Sequence, residues 1–154
     1  MENIEVTNLA KLEPLSDFLH DSDFDLDTFG YDRSRSEIRV TFRKELWKDR
    51  MPLGGFIFVK HNVPIGEFVL TISNVTDYEL DDTSSIGLYG LRRLNFDPVE
   101  NRIEFESPIP LHFVVNISGL KIRLKKSPGE SAWVQRRILR FLSEPIGLYR
   151  GGNN

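Results

Sequence analysis

Ile86-Gly-Leu-Tyr-Gly-Leu-Arg-Arg-Leu-Asn-Phe96, Asn101-Arg-Ile-Glu-Phe-Glu-Ser107, Leu111-His-Phe-Val-Val-Asn-Ile117 and Leu120-Lys-Ile-Arg-Leu-Lys-Lys126 carry the fold in their pattern. Turn residues separate them: Asp97-Pro98, Pro108 with Pro110, and Ser118-Gly119. Apolar residues alternate at Ile103 and Phe105, at Leu111, Phe113, Val115 and Ile117, and at Leu120, Ile122 and Leu124. Lys121, Arg123 and Lys125 stand between the last three. Period-two alternation bounded by turns predicts half-buried strands. Short connections predict antiparallel pairing, because parallel neighbours need long crossovers. The expected fold is therefore mainly β, an antiparallel sandwich or roll around a central meander.

The rest of the chain adds strands and two helical signals. Leu9, Leu12, Leu15, Phe18 and Leu19 recur at helical spacing and predict a short N-terminal helical segment, begun or interrupted at Pro14. Phe24 and Leu26 alternate with Asp23, Asp25 and Asp27, and Ile38, Val40 and Phe42 alternate with Arg39, Thr41 and Arg43. They predict a first hairpin whose outer face sets aspartates against arginines. Residues 44–54 read as a loop, and Gly55 to His61 as a short strand ended by Asn62 and Pro64. Glu67 to Ser73 reads as a central strand.

Ser127-Pro128-Gly129-Glu130 has the form of a capping box with proline at the first helical position. Val134, Ile138, Phe141 and Leu142 share one helical stripe, and Pro145 stops it. The spacing predicts an amphipathic helix over 128–143 and a frayed tail over 149–154. The 154 residues suit a single domain, with its core at about 15–126.

Hydrophobic residues make up 40% of the chain and charged residues 28%, a globular balance rather than a disordered one. Eleven phenylalanines predict an aromatic core. There is no cysteine, which removes disulfides, thiolate metal sites and cysteine nucleophiles. A cytoplasmic location is expected from that composition, from an N-terminus without a basic start and apolar run, and from the lack of any membrane-length apolar stretch.

Net charge is −3, unevenly spread. Residues 1–118 hold 12 Lys+Arg against 21 Asp+Glu, whereas residues 119–154 hold 8 against 2. An acidic body with a basic C-terminal segment is read as a protein-contact surface or as a solvated face that balances the acidic body across a homodimer contact. Trp133, Arg136, Arg137 and Arg140 are the expected partner-binding residues. Arginine beside an aromatic also suits nucleic acid, but the acidic pI of about 5.6 argues against a dedicated nucleic-acid binder.

No motif carries catalysis. Asp21, Asp23 and Asp25 occupy the first, third and fifth places of a calcium loop, yet Leu26 stands where glycine is needed and Asp32 where a bidentate glutamate belongs. Asp21, Asp23, Asp25 and Asp27 are therefore read as a solvated strand face. His20, His61 and His112 lie far apart in sequence, with no metal-ligand spacing. Gly87, Gly90 and Gly119 form no phosphate-binding loop and mark bends.

Leu15, Phe18-Leu-His-Asp-Ser22, the charged hairpin, Leu70-Thr-Ile-Ser-Asn-Val-Thr-Asp-Tyr-Glu-Leu80 and Phe105 with Ile122-Arg-Leu124 follow one another in order. This order resembles small bacterial β-rich domains that open with a Phe-His-Asp-Ser/Ala-type motif, among them some immunity proteins of polymorphic toxin systems. Leu19 stands where such domains commonly have tryptophan or phenylalanine before the histidine. The resemblance covers about residues 12–125 and implies a compact, non-enzymatic sheet protein that binds another protein. The expected function is thus non-catalytic protein binding, with immunity-like neutralisation as its specific form. A structural homo-oligomer, possible as a homodimer, is the first alternative. A metal-dependent hydrolase using His20 with Asp21 and Asp23, or a weak nucleic-acid binder, is the second. No cofactor is expected.

Overall fold

The structure is a computed structural model that describes residues 3–129 and 132–139. Among these residues the chain is mainly antiparallel β, with thirteen strands and one α-helix. The strands are β1 (Asn3–Val6), β2 (Ser22–Asp25), β3 (Gly30–Asp32), β4 (Glu37–Glu45), β5 (Met51–Gly54), β6 (Phe58–Ile72) and β7 (Val75–Asp81). They continue with β8 (Leu88–Leu91), β9 (Arg93–Asp97), β10 (Arg102–Glu106), β11 (His112–Ile117), β12 (Ile122–Lys126) and β13 (Ala132–Leu139). The helix α1 spans Leu9–Leu19. The described residues divide into two compact units, 3–44 with 66–129 and 45–65 with 132–139.

In the larger unit one sheet runs in the order β1, β12, β6, β4, β2, β8, with β3 on β4, and a four-stranded sheet runs β7, β11, β10, β9. The expected meander is therefore shared between two sheets: β8 and β12 lie in the first, β9, β10 and β11 in the second. The sheets meet through aromatic rings, which is what the phenylalanine content demands. Phe105 of β10 stacks on Phe113 of β11 at 4.3 Å between ring centres and lies 5.9 Å from Phe24 of β2 and 6.4 Å from Phe42 of β4. All four rings are buried. Such pairs add ~0.5–1.5 kcal/mol each beyond the area they bury.

Asn8 caps α1 by accepting the Lys11 amide at 3.1 Å, and Leu12, Leu15 and Leu19 bury one face. Pro14 lies inside the helix and neither starts nor stops it. The Leu94 amide of β9 donates to the buried Ser16 hydroxyl at 3.0 Å, tying the helix to a strand.

The first hairpin is interrupted. A 3-10 turn at Leu26–Thr28 separates β2 from β3, because the Asp25 carboxylate accepts the Asp27 amide at 2.9 Å and pulls the chain out of the ladder. Asp23 stands opposite Arg43, as expected, but Arg43 pairs with Glu67 at 3.7 Å.

The smaller unit corrects three expectations. Residues 44–54 are not all loop: Trp47–Asp49 forms a 3-10 turn and Met51–Gly54 forms β5. The strand expected to end at Asn62 and Pro64 runs on, as β6, to Ile72. Pro64 stands opposite Trp133, and its carbonyl accepts the Leu46 amide on the side away from β13. In a strand a residue's N–H and C=O point the same way, so the missing proline donor costs no rung to β13.

The third correction concerns the helix expected over 128–143. Its described part, Ala132–Leu139, is a β-strand that pairs along its whole length with β6. An isolated helix of this length is marginal in water, while the first half of β6 offers eight paired positions. Trp133, Val134 and Ile138 are aromatic or β-branched, and they suit a strand better than a helix. Arg140, Phe141, Leu142, Glu130 of the capping box and the tail 149–154 lie outside the described residues.

Candidate functional site

Within the smaller unit β6 is the middle strand of three. β13 pairs with one edge of its first half and β5 with the other. Opposed residues of an antiparallel pair point to the same face. One face thus carries Val59, His61, Val63, Val134, Arg136 and Ile138, and the other carries Phe58, Lys60, Pro64, Trp133, Gln135, Arg137 and Leu139.

The first face is closed around His61 and Val63, while Val59, Val134 and Ile138 are half-buried and Arg136 is exposed. Val63 is fully buried and His61 nearly so, with the Trp47 ring 6.4 Å away in an edge-on arrangement. Neither ring nitrogen of His61 has a hydrogen-bond partner among the described residues. The Arg136 guanidinium grips the Glu45 carboxylate, its Nε donating to Oε1 at 3.0 Å and to Oε2 at 3.2 Å, with a further short bond from Nη2 to Oε1. That carboxylate holds the Arg136 pKa above its ordinary value, through the hydrogen bonds first and charge second.

The second face is open over most of its length, with Pro64 buried and Leu139 half-buried. Trp133 is 51% exposed and Phe58 54%. Lys60 stands directly opposite Arg137, both exposed. Like charges facing each other across a ladder oppose pairing. No salt bridge to Lys60 or Arg137 occurs among the described residues.

The β5–β6 hairpin ends in Met51-Pro-Leu-Gly-Gly-Phe-Ile-Phe58. Five of these eight residues are exposed large apolar side chains: Met51, Leu53, Phe56, Ile57 and Phe58. Phe56 reaches 85% exposure. Gly54 and Gly55 make the turn with φ of +90° and +143°. A side chain at Gly55 would place its Cβ 1.8 Å from the Phe58 carbonyl oxygen, so the turn closes only around glycine. Exposed apolar clusters of this kind mark binding surfaces. Among the described residues the smaller unit carries 5 Lys+Arg against 2 Asp+Glu, and the larger 13 against 18.

The expected residues are therefore regrouped. Trp133 and Arg137 share the open face, Arg136 is taken up by Glu45 on the closed one, and Arg140 lies outside the described residues. The apolar tip is hidden in the sequence because Gly55 to His61 reads as a short strand; the adjacent Gly54-Gly55 is the available signal for a turn there.

The residues of the enzyme alternative stand in the larger unit. The His20 Nδ1 lies 3.0 Å from the Asp21 carboxylate, both exposed. Lys44 donates to the His20 carbonyl at 2.6 Å, and burial pushes its ammonium below the usual lysine range while Asp21 opposes the shift. Asp25 caps its own turn, and no group of three or more His, Asp or Glu placed to hold a metal occurs among the described residues. His112 meets Glu79 at 3.0 Å, so the three histidines have three unrelated surroundings. A groove of about 310 Å³ between α1 and β9 presents Glu13, Asp17, Arg93 and Asn95. Its serine, Ser16, already accepts the Leu94 amide and has no histidine beside it in the groove.

No described helix is long and apolar enough to cross a membrane. No protein-family model, curated protein or solved structure matches the chain.

Proposed function

We propose that this chain is a non-catalytic protein-binding protein, and that its smaller unit docks on an acidic partner protein. One observation carries the reading: five exposed large apolar side chains stand in the eight residues Met51–Phe58, beside the facing cations Lys60 and Arg137. An apolar tip gains from burial at ~25 cal/mol per Å² of surface removed from water. A carboxylate-bearing partner relieves the repulsion between Lys60 and Arg137, so charge and apolar area select the same kind of surface. Immunity-like neutralisation is the specific form of this function. It is supported by the resemblance of residues 15–22, 70–80 and 105–124 to such domains.

A photo-crosslinking amino acid at Phe56, with one at exposed Val99 of the larger unit as control, tests the proposal in cells of the protein's own source. One acidic protein captured from position 56 and not from 99 is expected. Equal capture from both positions, or sedimentation of the pure protein with anionic vesicles, overturns it.

A second reading draws on the open face itself, where Trp133 and Phe58 accompany Lys60 and Arg137 as aromatic platforms accompany cations in single-strand binders. It predicts quenching of tryptophan fluorescence by an oligonucleotide, weakened steeply by salt. Met51, Leu53 and Ile57 have no task in that reading, which is why the protein partner is preferred.

A further inference from the structure

We infer that β13 is a self-pairing edge, and that two copies of the chain join their smaller units through it into one continuous sheet. Since Pro64 turns its carbonyl away from β13, the Pro64–Trp133 pair exchanges no main-chain bonds. Alternation along the register then fixes the rest. Ala132, Val134, Arg136 and Ile138 bond inward to β6, while Trp133, Gln135, Arg137 and Leu139 turn their N–H and C=O groups to the outer edge. Among the described residues no strand pairs with that edge. It is eight residues long, its register to β6 shows no bulge, and it contains no proline. Edges left in this state are templates for another chain, and proteins that stay monomeric commonly blunt them.

The occupant is chosen by the sequence of the strand. An antiparallel pair of identical strands with Gln135 opposite its own copy sets Trp133 against the copy's Arg137, and Arg137 against the copy's Trp133. Both pairs lie on the open face, and each places a guanidinium on an indole. Ala132 meets Ile138, and Val134 meets Arg136, whose charge Glu45 already holds. Moving the axis by one residue in either direction, to Val134 or to Arg136, takes Arg137 away from the copy's Trp133 and loses both guanidinium–indole pairs. The strand is thus complementary to itself about a two-fold axis, the requirement for an isologous dimer. Arg137, crowded by Lys60 within one chain, gains an aromatic neighbour from the other. This inference stands on the strand edge and not on the apolar tip, so either can fail without the other.

The test uses the full chain, which has no natural cysteine. A Gln135→Cys variant places two thiols opposite each other at the axis. Cα atoms there are ~5.5 Å apart, within the range a disulfide spans. Under mild oxidation it is expected to form a covalent dimer of the 17.8 kDa chain, whereas Arg136→Cys, offset from its copy, is not. Gln135→Pro removes an outward N–H and no rung to β6. It is expected to raise the dimer Kd by at least about tenfold, because two symmetry-related hydrogen bonds are lost. A chain that is monomeric by light scattering at high concentration overturns the inference. So does a dimer that survives Gln135→Pro and fails to crosslink through position 135.

Discussion

Gly55 shows how a single position sets the candidate site. Its φ of +143° and the 1.8 Å approach of a would-be Cβ to the Phe58 carbonyl leave no room for alanine. Gly55→Ala is expected to destabilise the β5–β6 hairpin by roughly 1–3 kcal/mol, the usual cost of a residue forced into such backbone. Faster amide exchange over 58–63, with exchange in β10 and β11 unchanged, is the readout. Asp97 acts at the same scale. The Glu100 amide first and the Val99 amide second hold its carboxyl below the usual aspartate range. A depressed folded-state pKa means stability that is present above the unfolded value, near 3.9, and is lost as pH falls toward the folded one. Urea melts at pH 7 and pH 3 are expected to show a smaller acid loss for Asp97→Asn than for the natural chain. Pro64 teaches the opposite lesson. Read alone it ends a strand, yet its carbonyl has a partner in the Leu46 amide and its absent N–H faces no rung of β13.

At the scale of elements, the strands over 93–126 were legible because alternation and turn chemistry agree there, residue by residue. Their division between two sheets was not legible, since alternation marks which side of a strand is buried and not which neighbour buries it. Ala132–Leu139 was misread for a related reason. Val134 and Ile138 fit a helical stripe and one face of a strand equally, and only the first half of β6, supplying Val63 and Val59 opposite them, decides between the two. Tertiary pairing overrides weak local preference in such segments. The strand assignment has a sharp consequence. Val134→Pro removes an inward rung and is expected to loosen the smaller unit by ~1–3 kcal/mol, read as faster exchange over 58–65. Gln135→Pro, one residue along, is expected to leave that exchange nearly unchanged within the monomer. A helix would respond alike to both.

At the scale of the molecule, charge and apolar exposure are divided between two compact units. The larger holds the aromatic core and most of the acid, while the smaller holds the basic excess and the exposed tip. The charge asymmetry was visible in the sequence as an acidic body and a basic end. That residues 45–65 belong with the basic end was not visible, because the two segments are joined by strand pairing across about seventy residues. Phe105→Ala, which removes the ring shared with Phe24, Phe42 and Phe113, is expected to cost ~3–5 kcal/mol in urea unfolding. Binding and folding should therefore separate cleanly by unit. The most direct measurement is recovery of the partner by the tagged full chain, natural against Phe56→Asp/Ile57→Asp, with melting temperatures recorded for both. At least about tenfold less partner is expected for the variant at an unchanged melting temperature, because an exposed tip contributes to binding and not to the core. Equal recovery by both chains would contradict it.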